Sequence, residues 1–256
     1  MTTISVVIPA WNDAAFLEDA LAALARQQRP ADEVIVVDNA STDATASVAA
    51  AAGVRVIHEP RRGIWPAAAA GYDAASGTVI ARLDADSVPP DDWLQRIATA
   101  FENRDLDAIS GPGRFYDCGK LTAFLGEKLY IGGYFWSMRG WLTHPPLFGS
   151  NFAMTSELWR VVRGQVHRTR TDIHDDMDLS LHLGLEATIR YDALLWVGIS
   201  ARPFTSWASF WRRTRWAAGT LKLHYPEASP IRRRVQQRRR SRRGDARRRN
   251  AESRRA

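Results

Sequence analysis

Hydrophobic and polar positions follow two rhythms over the first half of the chain. Ile4-Ser5-Val6-Val7-Ile8 is a β-branched run closed by Pro9, and it predicts a buried strand. Leu17, Ala20, Leu21 and Leu24 then fall at helical spacing, with Asp13 as the expected cap. Glu33 to Asp38 predicts a second strand that ends on a carboxylate. Ser41 to Ala52 predicts an Ala-rich helix, Val54 to Ile57 a third strand and Trp65 to Ala75 a helix. Thr78 to Leu83 predicts a fourth strand, which runs into Asp84-Ala85-Asp86. Pro90 suits a first helical position with Asp91 and Asp92 in the first turn, ahead of the apolar face Leu94, Ile97, Ala98 and Phe101. Strands alternating with helices predict a mostly parallel α/β sheet covered on both faces. Ligands of such sheets sit beyond the carboxyl ends of the strands, where Asp38, Asp84 and Asp86 fall.

The second half is less regular and richer in aromatics, with seven of the ten Trp at or after Trp136. Leu121 to Trp141 predicts a helix interrupted at Gly132-Gly133. Ser206 to His224 predicts another, on which Trp207, Phe210, Trp211, Thr214, Ala218 and Leu221 share one apolar face.

Charge also divides along the chain. From Ser229 to Ala256 there are 13 Arg against two acids, a net +11. The preceding 228 residues carry 22 basic and 26 acidic groups, a net −4, so the overall +7 belongs to the tail. Beyond Pro226 the Arg-dense, apolar-poor composition predicts disorder. The 45% hydrophobic content of the whole chain excludes wholesale disorder. The single Cys118 excludes an internal disulfide and a Cys-rich zinc site. No stretch reaches the ~18–20 apolar residues that span a bilayer, and no basic-then-apolar leader opens the chain, so a cytoplasmic location is expected.

Four groups of residues carry candidate chemistry. Asp84 and Asp86, just past a buried strand, suit a hard cation such as Mg²⁺ or Mn²⁺ and a phosphate or sugar oxygen. A strand-end turn gives the same triplet, and Asp105-Leu106-Asp107 repeats it elsewhere. Asp38 suits a base or ribose hydroxyl, or is one more turn former in Asp-Asn-Ala-Ser-Thr-Asp. His174-Asp175-Asp176-Met177-Asp178 opens a helix and holds a candidate general base, or is a well-capped start. Arg212 and Trp216 share a helix face beside Arg215, a pairing suited to phosphate and a sugar ring.

In order, the chain reads Val7-Ile8-Pro9-Ala10-Trp11-Asn12, Val36-Val37-Asp38-Asn39-Ala40-Ser41, Leu83-Asp84-Ala85-Asp86, Gly149-Ser150-Asn151-Phe152, Asp175-Asp176-Met177-Asp178-Leu179 and Arg212 to Trp216. This series resembles family 2 of the inverting, nucleotide-sugar-dependent glycosyltransferases, over roughly residues 1–224. The resemblance implies a GT-A fold, a Rossmann-like, mostly parallel sheet flanked by helices, with a nucleotide-sugar half over 1–113 and an irregular, aromatic-rich acceptor half over 114–224. Residues 225–256 form the tail outside it. It implies donor contacts at Pro9, Ala10, Asn12, Asp38, Gly63, Asp84, Arg212, Arg215 and Trp216. Asp86, with Asp84, matches the metal-binding pair for Mg²⁺ or Mn²⁺. Asp176 matches the general base, and Gly149, Asn151 and Asp175 fall on the acceptor side. UDP is the commoner donor nucleotide, with GDP and TDP as alternatives, and the acceptor is expected to be a glycan, a lipid or a small molecule.

The pattern departs from the family at four places. Trp11 stands where Tyr is usual, Asp175 where Glu is usual, and Ala68-Ala69 where Arg-Asn or Leu-Asn is common. The Arg tail stands where synthases with the Arg-Trp motif continue into membrane helices. Trp136, Trp141 and Trp159 are candidates for shaping the acceptor cleft or for the core. Three other readings follow from the same residues. The tail is a candidate nucleic-acid binder, although no aromatic interleaves its Arg and the body is acidic. Tail and Trp-rich helix together suit an anionic membrane surface on the inner face of the cell membrane. The Ala68-Ala69 departure is compatible with an inactive relative.

Overall fold

The structure, a computed structural model, describes residues 2–202 and 207–235. Its first half repeats strand and helix in register with the expected rhythm: β1 (Ile4–Ala10), α1 (Ala14–Ala25), β2 (Glu33–Asp38), α2 (Thr45–Ala51), β3 (Arg55–His58), α3 (Ile64–Ala74) and β4 (Val79–Leu83). These four strands pair in parallel in the order β3-β2-β1-β4. The chain continues through β5 (Ser87–Val88), α4 (Trp93–Ala100), β6 (Ala108–Ser110) and β7 (Gly113–Phe115). Then come α5 (Lys120–Leu125), a π-helical stretch (Gly126–Ile131) and α6 (Gly132–Leu142). Last are β8 (Asn151–Thr155), α7 (Ser156–Val162), α8 (Asp175–His182), β9 (Ile189–Tyr191), β10 (Val197–Ile199) and α9 (Trp207–Ala228). β8 joins β4 antiparallel and extends the sheet through β6 to β9, while β5, β10 and β7 form a small second sheet.

Strand periodicity sorts the core into two layers. Ile4, Val6 and Ile8 face α1 and α4 through Leu17, Leu21, Leu94 and Ile97. Val7, Ile35, Val37 and Ile80 face α3, α7 and α8 through Trp65, Tyr72, Trp159 and Leu179. The mostly parallel sheet flanked by helices is therefore present.

Several local expectations change. Asp13 does not cap α1 through its side chain; its Oδ1 accepts from Arg202 Nη1 at 2.6 Å instead. Pro90, Asp91 and Asp92 precede α4 rather than opening it, since Trp93 N–H turns back to the Pro90 carbonyl at 3.0 Å. Gly132-Gly133 does not break the 120–142 helix; its geometry loosens to π over Gly126–Ile131 and tightens again from Gly132. The face named for α9 points outward: Trp207 is 79% exposed and Trp211 59%, with Thr214 and Ala218 also exposed. Of that face's described side chains Leu221 alone packs inward, together with Ala217, against Met138, Leu142, Met177 and Leu181, and Thr220 and His224 are buried beside them. Of that face, Phe210 lies outside the described side chains.

The boundary expected at residue 224 falls inside α9, and 230–235 is helical as well. Arg233 is buried there, donating to the carbonyl of Leu181. The first residues of the Arg-rich segment are thus packed on the body, and 236–256 lie outside the described residues.

Candidate active site

One cleft of about 520 Å³ opens at the carboxyl ends of β1 and β4. Its floor comes from Pro9 and the Asp84–Asp86 turn, one wall from the start of α8, and the opposite wall from α9. Crowded carboxylates dominate its electrostatics. Arg82, buried on β4, binds Asp84 Oδ1 at 2.6 Å through Nη2 and Asp175 Oδ2 at 2.8 Å through Nη1. Nη1 also meets the Tyr72 hydroxyl at 3.1 Å. Ser150 Oγ donates to Asp84 Oδ2 at 2.7 Å. Burial pushes the Asp84 carboxyl up, and the Arg82 charge with the Ser150 hydrogen bond brings it below the ordinary value.

Asp86 differs. Burial and then the negative charge of Asp84 raise its pKa, and Arg202 offsets this only in part. Arg202 grips one edge of that carboxylate, donating from Nη2 to Oδ2 at 2.6 Å and from Nε at 3.2 Å. The second sheet aims it: Ile199 of β10 pairs with Ser87 of β5, next to Asp86. The Asp84–Asp86 pair therefore offers an all-oxygen donor set in which the arginines offset the burial and repulsion at Asp86 only in part, which fits a hard divalent cation.

Asp176 sits on the first turn of α8. Its Oδ2 accepts from Gly149 N–H at 2.9 Å and its Oδ1 from Met177 N–H at 2.7 Å. Burial, then the neighbouring Asp175 charge, raise its pKa against those hydrogen bonds and His174. A part-buried carboxylate held in place and made more basic is what a general base needs. Gly149 approaches closely, since an added Cβ there would lie 3.2 Å from Asp176 Oδ2.

α9 closes the cleft with Arg212, Arg213 and Trp216, the Arg212 guanidinium 5.7 Å from the Trp216 ring centre. His174 docks this helix. Its Nε2–H donates to the Arg213 carbonyl at 2.9 Å, its backbone N–H to Thr220 Oγ1 at 3.1 Å, and its ring meets Trp216 edge-on. The ring is engaged in packing the helix.

Of the residues singled out in the sequence, Pro9, Asp84, Asp86, Gly149, Asp175, Asp176, Arg212 and Trp216 share the cleft. Of the motif residues quoted with them, Ser150, His174, Met177, Arg213 and Thr214 line it as well, while Ala10, Asn12, Asp38, Gly63, Asn151 and Arg215 do not. Arg215 points out, and Arg213 takes the inner position. Asn151 is fully buried and ties Trp93 Nε1 to the Leu195 carbonyl. Ala10 is buried, and its carbonyl takes the Asn39 N–H. Asp38 is buried between Ser41 N–H at 3.1 Å and His58 Nδ1 at 3.1 Å, and those bonds outweigh burial to hold its pKa low. Asn12 is exposed in the left-handed region (φ 52°) and accepts from Thr42 N–H. Gly63 (φ 141°) donates its N–H to Asn39 Oδ1 at 2.7 Å and leads into Ile64 of the cleft. Ala68 and Ala69 are buried beneath the sheet. Trp159 is core, Trp136 is 82% exposed and Trp141 meets Tyr225 edge-on, while Tyr130, Tyr134 and Phe148 line the cleft instead. Arg82, Arg202 and Arg213 were not foreseen. Arg213 alone carried a sequence signal, as an unassigned position inside the Arg212–Trp216 motif.

The family model described as Glycosyl transferase family 2 matches residues 5–163, more than half of the chain. The chain is 31% identical over 120 residues to the glycosyltransferase AglE of Haloferax volcanii, covering 44% of this chain and 40% of that protein. It spans less than half the length of the curated relatives it matches first. Two solved structures share the fold at 22% identity. The mannosyltransferase PcManGT of Pyrobaculum calidifontis, in complex with GDP-Man and Mn²⁺, superimposes with a TM-score of 0.68 over 89% of this chain and 64% of its own. Glucosyl-3-phosphoglycerate synthase of Mycobacterium tuberculosis, with Mn²⁺, UDP-Glc and phosphoglyceric acid, does so at 0.62 over 87% and 79%.

Proposed function

The chain belongs to glycosyl transferase family 2, and from that premise we propose that it moves a sugar from a nucleoside diphosphate sugar to an acceptor hydroxyl with inversion, Asp176 acting as general base. The observation that carries this reading is the meeting, in one cleft, of the Asp84–Asp86 pair, the positioned Asp176 and the Arg212–Arg213–Trp216 wall. Residues 1–113 supply the donor half and the following residues the acceptor half.

Asp84 and Asp86 would hold the divalent cation, Mg²⁺ or Mn²⁺, which supplies charge neutralisation to the leaving diphosphate. Arg212 and Arg213 add fixed positive charge on the same side. Trp216 offers a flat face to the sugar, and Arg82 holds Asp175 and Asp84 apart from the proton chemistry. Asp176 takes the proton of the acceptor hydroxyl as its oxygen attacks, while Gly149 N–H fixes the carboxylate. The anomeric carbon passes through an oxocarbenium-like state, as in glycoside hydrolysis. The glycosyltransferases that share the fold have UDP-Glc or GDP-Man in their titles; UDP is the donor nucleotide favoured here.

Calorimetry tests this: UDP, GDP and TDP, each with and without Mn²⁺, against wild type and Asp86→Ala. Metal-dependent binding of one nucleotide, lost in the variant, is expected. A folded protein that binds none of the three would sink the reading in favour of an inactive relative.

A second reading concerns location. No described helix is long and apolar enough to cross a membrane. Yet Leu121, Leu129 and Trp136 on the 120–142 helix and Trp207 and Trp211 on α9 are mostly exposed. With 13 Arg following Ala228, this surface suits peripheral docking on anionic lipid, where each basic residue contributes ~1 kcal/mol, beside a lipid-borne acceptor. Cosedimentation with anionic liposomes at low salt is expected for wild type and weakened for Trp207→Ala/Trp211→Ala. Equal pelleting with neutral lipid would remove the charge argument.

A further inference from the structure

On the side of α8 away from the cleft lies a second cluster that the transfer chemistry does not use. Asp178 is fully buried. Its Oδ2 is fixed by two donors, Trp65 Nε1 at 2.9 Å and His167 N–H at 2.9 Å. Its Oδ1 faces three imidazoles: His167 Nδ1 at 2.8 Å, His224 Nε2 at 2.7 Å and His182 Nδ1 at 3.7 Å. The ring centres stand 4.7–5.3 Å apart. One ligand-capable atom from each of the four residues lies within 4.8 Å of the others. None of the four lines the cleft.

We propose that Asp178, His167, His182 and His224 form a structural binding site for a borderline transition-metal ion, Zn²⁺ by preference, that pins α9 to α8. The donor chemistry selects the ion. Three imidazoles and one carboxylate make a four-coordinate set suited to Zn²⁺, whereas Mg²⁺ and Ca²⁺ prefer all-oxygen sites such as Asp84–Asp86. The distances are close to what is needed, because four ligands at Zn–N and Zn–O lengths stand about 3.4 Å from one another. The surroundings divide labour as they do around bound metals. Trp65 and the His167 backbone orient the carboxylate from behind and leave Oδ1 to the rings. His182 Nδ1 lies 2.8 Å from the Asp178 carbonyl. A carbonyl can only accept, so Nδ1 carries the proton and Nε2 keeps its lone pair. A plain hydrogen-bond hub accounts for His167 and His224 on Oδ1 and for His182 on the Asp178 carbonyl, but among the described residues it leaves His182 Nε2, the lone pair of the third ring, without a bond. The ligands come from α8, α9 and the 163–174 loop, so the ion would hold the helix that carries Arg213 and Trp216 into the cleft.

The test uses the untagged chain, purified without chelator and dialysed, with zinc measured by elemental mass spectrometry. One equivalent is expected in wild type and in Asp86→Ala, and less than a tenth of that in His167→Ala and His224→Ala. His167 is partly exposed, so its variant separates ligand loss from unfolding, checked by circular dichroism. Co²⁺ added to the metal-stripped wild type is expected to give the visible absorption of a four-coordinate site, saturating at one equivalent and displaced by Zn²⁺. A folded wild type with no zinc and no such band would overturn the proposal and leave a hydrogen-bond hub. So would zinc that persists in both His variants or disappears in Asp86→Ala.

Discussion

At the amino end of β2, Glu33 collects donors from three directions. Ser5 Oγ, Ser76 N–H and Ser76 Oγ reach Oε2 at 2.5, 2.9 and 2.9 Å, and Arg55 Nη1 reaches Oε1 at 2.8 Å. Burial pushes this carboxyl up, but those bonds win and hold it at about 2. At the carboxyl end of β4 and the facing start of α8, Arg82 is shared by Asp84 and Asp175 and Arg202 by Asp86 and Asp13, Asp176 has only backbone donors, and Asp86 and Asp176 are left with raised pKa values. One end of the sheet satisfies its charge with its own donors. The other leaves two carboxylates with their charge only partly offset, which is where the proposed cation and substrate would bind. On that proposal the amino end contributes stability and the carboxyl end reactivity, in keeping with ligands bound beyond the carboxyl ends of parallel strands.

The sharpest way to break this contrast is Asp176→Asn. A positioned base contributes ~10²–10⁴-fold, so kcat is expected to fall by that factor while urea unfolding stays unchanged or improves, because one of two adjacent buried charges is gone. Steady-state kinetics with the donor found by calorimetry reads the first effect. A variant that keeps its rate but loses stability would place Asp176 with Glu33 and not with the cleft.

Arg82→Met comes next. It removes the cation that Asp84 and Asp175 share, leaving the buried Asp175 without its ion-pair partner and Asp84 with Ser150 alone, and is expected to cost about 3–5 kcal/mol in chemical denaturation. Adding Asp175→Asn should recover part of it. No recovery would mean that Arg82 acts through packing alone.

How much of this contrast was legible in the sequence depends on the range of each contact. The strands, the flanking helices and the Asp84–Asp86 turn were visible, because periodicity and strand ends are local. Asp176 and Arg212 were visible as motif positions. Arg82 and Arg202 were not: one looks like a stray charge in a strand, the other lies 116 residues from its partner Asp86. The outward face of α9 was misjudged because aromatic spacing shows that a helix has a face without showing which side meets the body. Trp207 and Trp211 are exposed while the less apolar Thr220 and His224 are buried. The histidine cluster was hidden for the same reason, since only Asp178 and His182 share a local spacing.

Glu33→Gln probes the amino end alone. A folded carboxyl below its unfolded value of about 4.3 contributes stability that is fully present above that pH and is lost as pH falls toward 2. At ~1.4 kcal/mol per pH unit, the drop from about 4.3 to about 2 corresponds to about 3 kcal/mol. Wild type is therefore expected to exceed the variant by that amount at pH 7, and the two should converge near pH 2. Nucleotide binding should not change. A gap independent of pH would assign the effect to lost packing and not to the charge.

Gly149→Ala is the smallest change and the finest test of the carboxyl end. Gly149 N–H donates to Asp176 Oδ2 at 2.9 Å, and a methyl group there would stand 3.2 Å from the same oxygen. That contact is tighter than ordinary van der Waals packing, so the carboxylate must shift by a few tenths of an ångström. Strand β8 begins two residues later and is buried on both sides, so the backbone has little room to yield, and the side chain of Asp176 moves instead. A base displaced by this much loses alignment with the acceptor hydroxyl but not its charge. The expected result is a fall of roughly tenfold in kcat, or about 1.4 kcal/mol in the barrier, with nucleotide affinity within twofold of wild type and no measurable loss of stability. If affinity fell with the rate, Gly149 would belong to the donor contacts. If neither changed, Asp176 would have more freedom than its two backbone hydrogen bonds imply, and its part in proton transfer would rest on charge alone.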